Sequence, residues 1–127
     1  MKKLLILGLA FLGATPVFAE YCAGGSGDVF TAINGKTYCL SRPMVNWWSA
    51  NAWCDSIGMA LVNPSEDCDC TGHEKCEIGP DCLNLKEIPT TVWTNSALDV
   101  SSVYVIWKGG SIGSVSKKGY KYKALCK

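Results

Sequence analysis

Eight cysteines in a chain of 127 residues, none of them before position 22, limit this sequence more than any other feature. What precedes them is "MKKLLILGLAFLGATPVFAEYC": Lys2 and Lys3, an apolar run from Leu4 to Leu12, then Val17 and Ala19 at the small-residue positions of a cleavage site. That pattern is expected to be a secretory signal peptide over residues 1–19, cut after Ala19, leaving a single domain over 20–127. Glu20 and Tyr21 stand between the cut and Cys22, so no lipid anchor is expected. The apolar run is shorter than the roughly 20 residues a membrane span needs, and no second such run follows. An even number of thiols behind an export signal points to disulfides formed in an oxidising compartment, secreted, periplasmic or at the cell surface.

Charge narrows the function classes. Without Lys2 and Lys3 the domain carries ten basic and eleven acidic residues, a balance that argues against nucleic-acid binding. The distribution is uneven. Seven acids lie between Glu66 and Glu87 against Lys75 and Lys86, whereas no acid follows Asp99 and the tail carries Lys108, Lys117, Lys118, Lys121, Lys123 and Lys127. Solvated faces explain such runs most simply, and a bipolar surface that orients a partner is the sharper alternative.

Local signals run in a readable order. "FTAINGKTYCL" offers a hairpin in which Phe30 to Ile33 pair with Lys36 to Cys39 around Asn34-Gly35, because both turn positions favour positive φ. From Asn46, Ala50, Trp53, Cys54 and Ile57 recur at helical spacing, with Asn46 or Ser49 as N-cap and Gly58 as C′ residue. Trp47 and Trp48 fall in the first turn of that helix, placed to cover the hairpin. "ALVNPSED" reads as a short extended piece followed by a second helix capped by Ser65, with Glu66 and Asp67 at its positive end. "CDCTGHEKCEIGPDC" reads as a disulfide-tied loop. "VWTNS", "VYVIWKGGSIGSVS" and "GYKYKALC" are β-prone runs that predict a terminal antiparallel sheet.

Cys68, Cys70, His73, Cys76 and Cys82 are the residues whose soft ligands could suit zinc. Export weighs against it, as do the Cys-x-Cys spacing and a chain with one histidine, so no metal and no cofactor is expected. The acids nearby lack the regular oxygen spacing of a calcium loop. No nucleophile with its base, redox Cys-x-x-Cys or phosphate-binding Gly loop is present, and the expectation is a protein that is not an enzyme.

"WWSANAWCDSIGMALVNPSED" resembles the first helix and following strand of the C-type lectin-like fold through Trp48, Ala52, Cys54, Gly58, Leu61, Val62, Ser65 and Glu66 or Asp67. The closing "ALCK" is similar to that family's last strand, "VWTN" to its Trp-led strand, and the segment bounded by Cys22 and Cys39 to the extra hairpin of its long form. The resemblance implies an α+β fold, one to two short helices packed on small antiparallel sheets. It also implies a bond from Cys54 to Cys126. The companion pairs then expected are Cys22 with Cys39 and Cys68 with Cys82, around a nested Cys70 with Cys76. Neither the Glu-Pro-Asn or Gln-Pro-Asp loop nor the Trp-Asn-Asp run of calcium-dependent sugar binders is present, so any recognition should be calcium-independent.

The function expected on these grounds is a monomeric, disulfide-bonded binding module for a protein or cell-surface ligand. Asn95, Ser96, Asp99, Lys117, Lys118 and Tyr120 are its candidate contact residues. A structural subunit of a surface appendage or envelope complex is the second reading, and a thiol or zinc enzyme the third. Titration of the denatured, unreduced mature protein should find no free thiol; four free thiols of the eight, with bound zinc, would overturn the disulfide reading.

Overall fold

The structure, a computed structural model, describes Cys22, residues 27–68 and residues 82–127. The expected signal peptide, the expected pairing of Cys70 with Cys76, and His73 lie outside the described residues. Within them runs one six-stranded sheet with two helices: β1 (Gly27–Thr31), β2 (Thr37–Ser41), α1 (Trp47–Ser56), α2 (Pro64–Asp67), β3 (Val92–Ala97), β4 (Ser102–Ile106), β5 (Ile112–Ser116) and β6 (Lys123–Cys126). A single 3-10 turn over Leu83–Leu85 precedes β3.

The strands lie in the order β1-β2-β6-β3-β4-β5, so the last strand of the chain sits in the middle. It is antiparallel to β2 and parallel to β3. The expected small antiparallel sheets are thus corrected to one mixed sheet. The cause is burial. Ala124, Leu125 and Cys126 are all buried, and only an interior strand with both faces covered can hide three consecutive side chains.

Both faces are indeed covered, and neighbouring residues alternate between two cores. Tyr38, Leu40, Val92, Ile106 and Leu125 belong to one cluster, with Val62, Leu85, Ile88 and the Cys68–Cys82 bridge packed over them. Cys39, Trp93, Val103, Val105, Ala124 and Cys126 point the other way, under Ala50 and Cys54 of α1. The unbroken apolar run Val103 to Ile106 follows from this, since each side of β4 has its own core to fill.

Helix α1 starts and stops where expected. Asn46 Oδ1 accepts from Ser49 N at 2.8 Å. At the other end Gly58 has φ 73°, with Gly58 N donating to Asp55 O at 3.0 Å and Met59 N to Cys54 O at 2.8 Å, the paired bonds of a Schellman stop. Trp53, rather than Trp47 or Trp48, meets the hairpin: a Cβ on Gly27 would lie 2.9 Å from Trp53 Cη2 and 3.0 Å from Leu40 O. Residue 27 therefore has to be small, because the indole occupies the space a side chain would need.

Two further expectations change in detail. The hairpin connection spans residues 32–36 rather than two residues, with Gly35 N donating to Ala32 O at 2.9 Å and Ala32 N to Lys36 O at 2.8 Å. The pairs Phe30 with Tyr38 and Val29 with Cys39 follow from that wider turn. Helix α2 is capped by Asn63 rather than Ser65, with Pro64 at its first position, and is only four residues long. Its last residue, Asp67, is 2% exposed. The carboxylate accepts from Asn63 N at 2.8 Å, from Tyr38 Oη at 3.3 Å and from Lys127 Nζ at 2.9 Å, which satisfies a charge that would be costly to bury alone. Burial alone would lower the Lys127 pKa, but its hydrogen bonds to Glu66 and Asp67 outweigh that and hold it above the ordinary lysine value.

Three disulfides join the described residues: Cys22–Cys39, Cys54–Cys126 and Cys68–Cys82. Their Cα–Cα separations of 5.3, 5.5 and 4.6 Å fall in the ordinary range. The Cys54–Cys126 bridge spans 72 residues, and a loop of that length gives about 4 kcal/mol by chain-entropy reasoning. Replacing Cys54 and Cys126 together by alanine should lower the urea unfolding free energy by about that amount. An unchanged midpoint would show that the strand pairing alone holds β6 in place.

Candidate functional site

Three segments far apart in sequence meet at one end of the sheet: the first turn of α1, the connection from β3 to β4, and the residues that follow β5. Trp47 and Trp48 come from the first. Adjacent residues on a helix are about 100° apart, so both rings cannot face the core. Trp47 turns inward and donates from Nε1 to Thr94 O at 2.9 Å. Trp48 turns outward, 49% exposed, edge-on to Trp47 with 5.7 Å between ring centroids.

The β3–β4 connection is shaped by Asp99. Its Oδ1 accepts from Ser101 N at 2.9 Å, Ser102 N at 2.8 Å and Ser101 Oγ at 3.2 Å. The hydrogen bond from the Ser101 backbone is the main reason its carboxyl pKa lies below the ordinary value. The turn that results leaves Val100 93% exposed. Large exposure of one aliphatic residue is unremarkable alone, but this one stands beside an exposed indole.

The third segment closes the site. Lys117 N donates to Ser101 O at 2.8 Å, which fastens it to the β3–β4 turn. Lys117 Nζ lies 4.5 Å from the centroid of the Trp47 ring and donates to Val100 O at 3.1 Å. An ammonium over an indole face is held by the ring's quadrupole, about 0.5–1 kcal/mol at an exposed site. Lys118 N donates to Ser116 Oγ at 3.2 Å, and its ammonium makes no ion pair among the described residues.

Together Trp48, Val100, Ser101, Ser116, Lys117 and Lys118 line an open cleft of about 290 Å³. Its chemistry is mixed: two apolar surfaces, two hydroxyls and two cations. It can hold an anionic group against an apolar one. It offers no paired acid and base, and among the described residues no group of three His, Cys, Asp or Glu could hold a metal. Cys68 and Cys82, two members of the zinc set considered above, are bonded to each other.

The candidate contact residues divide between places. Lys117 and Lys118 line the cleft, and Asp99 builds its wall without facing into it. Asn95 lines a different depression of about 340 Å³ beside α1, with Asn51, Asp55 and Met59. The backbone N of Ser96 donates to Thr94 Oγ1 at 3.1 Å. Tyr120 stacks on Tyr122 with centroids 6.0 Å apart, and Tyr122 in turn meets Trp93 and Trp107 edge-on. Tyr120 thus continues an aromatic row from the core outward. Val100, Ser101 and Ser116 were not anticipated, and a contact role for one of the tryptophans of α1 was only the lesser alternative to core packing. "DVSS" carried a signal, since Asp followed at the second and third positions by serine is a turn in which the carboxylate caps two backbone N–H groups.

Comparison with protein-family models, with curated proteins and with solved structures finds no match to this chain.

Asp99 supplies a pH test of the cleft wall. A folded-state pKa below the ordinary 3.8 means that its contribution to stability is present above that value and is lost as pH falls through the lower, folded one. The variant Asp99→Ala should therefore melt below the wild type at neutral pH. The gap should narrow below pH 3.8 and close once the folded carboxyl is protonated. A gap that stays constant into acid would mean that the carboxylate does not hold the turn.

Proposed function

We propose that the protein is an exported, calcium-independent binding module of the C-type lectin-like kind, recognising a protein or cell-surface ligand through the cleft of Trp48, Val100 and Lys118. The observation that carries this reading is the exposure, side by side, of an indole, an isopropyl group and an ammonium without an ionic partner among the described residues. Burying such apolar surface contributes roughly 25 cal/mol per Å², and an unpaired cation beside it adds direction. Ligand clefts combine these features, whereas a face evolved only for solubility has little need of Trp48.

Two further features support the family part of the reading. Cys54 of α1 is bonded to Cys126 of the last strand, and Cys22–Cys39 bounds a hairpin at the start of the described sheet. The three disulfides fit an oxidising compartment, and among the described residues no helix is long and apolar enough to cross a membrane. Both agree with export.

Screening the mature protein on glycan and protein arrays, with calcium and with a chelator, should give a ligand whose binding does not depend on calcium. The double variant Trp48→Ala, Lys118→Glu should lose that ligand while its melting temperature stays close to the wild-type value, since both side chains lie at the surface. Retained binding by a folded double variant would overturn the cleft as the ligand site.

A further inference from the structure

We propose that the ligand is an extended, acidic segment of a partner protein, which pairs along β5 as an added strand and runs its end into the cleft. This rests on the cleft being the ligand site and names the chemistry of what enters it. The starting observation is that β5 lies at the end of the strand order, with β4 on one side and no described strand on the other.

The hydrogen-bond parity of β5 decides which groups it presents. Trp107 N donates to Ser111 O at 2.7 Å and Lys117 N to Ser101 O at 2.8 Å. Between those two pairs the register is regular, Val103 opposite Val115 and Val105 opposite Gly113. Antiparallel strands alternate bonded and non-bonded pairs, so the odd-numbered residues bond to β4 while Ile112, Ser114 and Ser116 turn their N–H and C=O groups away from it. Ile112 is only 4% exposed and Cys82 N donates to Gly110 O at 2.6 Å beside it, so Ser114 and Ser116 carry the open part of the edge. No bulge or proline interrupts this stretch, two of the usual devices that blunt an edge. The outward groups recur at two-residue spacing, which is what an added strand requires.

Charge selects the strand. β5 leads directly into Lys117 and Lys118, and no acid follows Asp99 in the sequence. Asp99 itself is occupied by Ser101 and Ser102. A second copy is a poor occupant: two copies paired along β5 would gather Lys108, Lys117 and Lys118 from each, with no carboxylate in β5 or in the residues after it to offset them. An acidic segment meets those cations instead. Its alternate side chains share one face, so an apolar residue among the acids can reach Trp48 and Val100.

The probe is a synthetic peptide of about six residues alternating glutamate and valine, blocked at both ends, added to isotope-labelled mature protein with its disulfides intact. It should bind, weaken as salt rises, and slow amide exchange at Ser114 and Ser116. The same peptide with lysine for glutamate should not bind. Lys118→Glu should weaken binding about fivefold, the scale expected when an exposed ion pair becomes a repulsion. N-methylation of the peptide amides that face β5 should abolish binding, and this control leaves the fold of the protein untouched. If the N-methylated peptide binds as well as its parent, yet Trp48→Ala removes both, strand addition is overturned and the cleft reading stands. If the parent binds but neither Trp48→Ala nor Lys118→Glu affects it, both readings fall. A failure of the glutamate peptide to bind, or a dimer of the protein alone protected at the β5 amides, overturns the proposal.

Discussion

The bond between Cys54 and Cys126 is the constraint on which the other contacts depend. It fixes α1 against β6, and β6 is the strand that joins the β1–β2 hairpin to β3, β4 and β5. Only two residue pairs of β6 register with β2 and two with β3, so each half of the sheet would hold the other weakly by strand pairing alone. The covalent link and the burial of Ala124, Leu125 and Cys126 supply what those short ladders lack. A segment running from Ala60 to Val62 adds a further seam, with Lys127 N donating to Ala60 O at 2.9 Å and Val62 N to Leu125 O at 2.9 Å.

This arrangement separates the stabilised centre of the molecule from the place where recognition is proposed. The disulfides and the two cores concentrate around β2, β6 and β3. The cleft lies beyond them, at the ends of β3 and β5 and the start of α1, where turns and exposed side chains predominate. Hydrogen bonds from Trp47 to Thr94 and from Lys117 to Ser101 and Val100 hold its walls without hiding Trp48 or Lys118. Such a site is preorganised: the turns are already set, so little ordering remains to oppose binding.

Much of the scaffold could be read from the residues. Asn46 and Gly58 marked the ends of α1 because capping depends on local chemistry that a short window contains. Cys54, Cys126, Cys22, Cys39, Cys68 and Cys82 were paired as found, with the help of a family resemblance rather than of spacing. What escaped was non-local. Nothing in "KALC" says that it lies between β2 and β3, or parallel to one of them, since strand order depends on which faces must be covered. The cleft escaped for the same reason: Trp48, Val100 and Ser116 are distant in sequence and come together only through the β3–β4–β5 meander. Lys117 and Lys118 were found because charge asymmetry is visible without the fold. Asn95 was grouped with them as a loop residue, yet it lies within β3, and Tyr120 as part of the same basic, aromatic segment; neither lines the cleft.

Cys39 and Cys126 face each other across neighbouring strands, each already bonded to a different partner. Four sulfurs thus share one buried neighbourhood, and a thiolate from any of them has a wrong bond within short reach. Native connectivity must be sorted before the strands close over it, while the hairpin and the helix still keep their thiols apart. Oxidative folding of this chain is therefore expected to be sensitive to the order in which these four sulfurs pair.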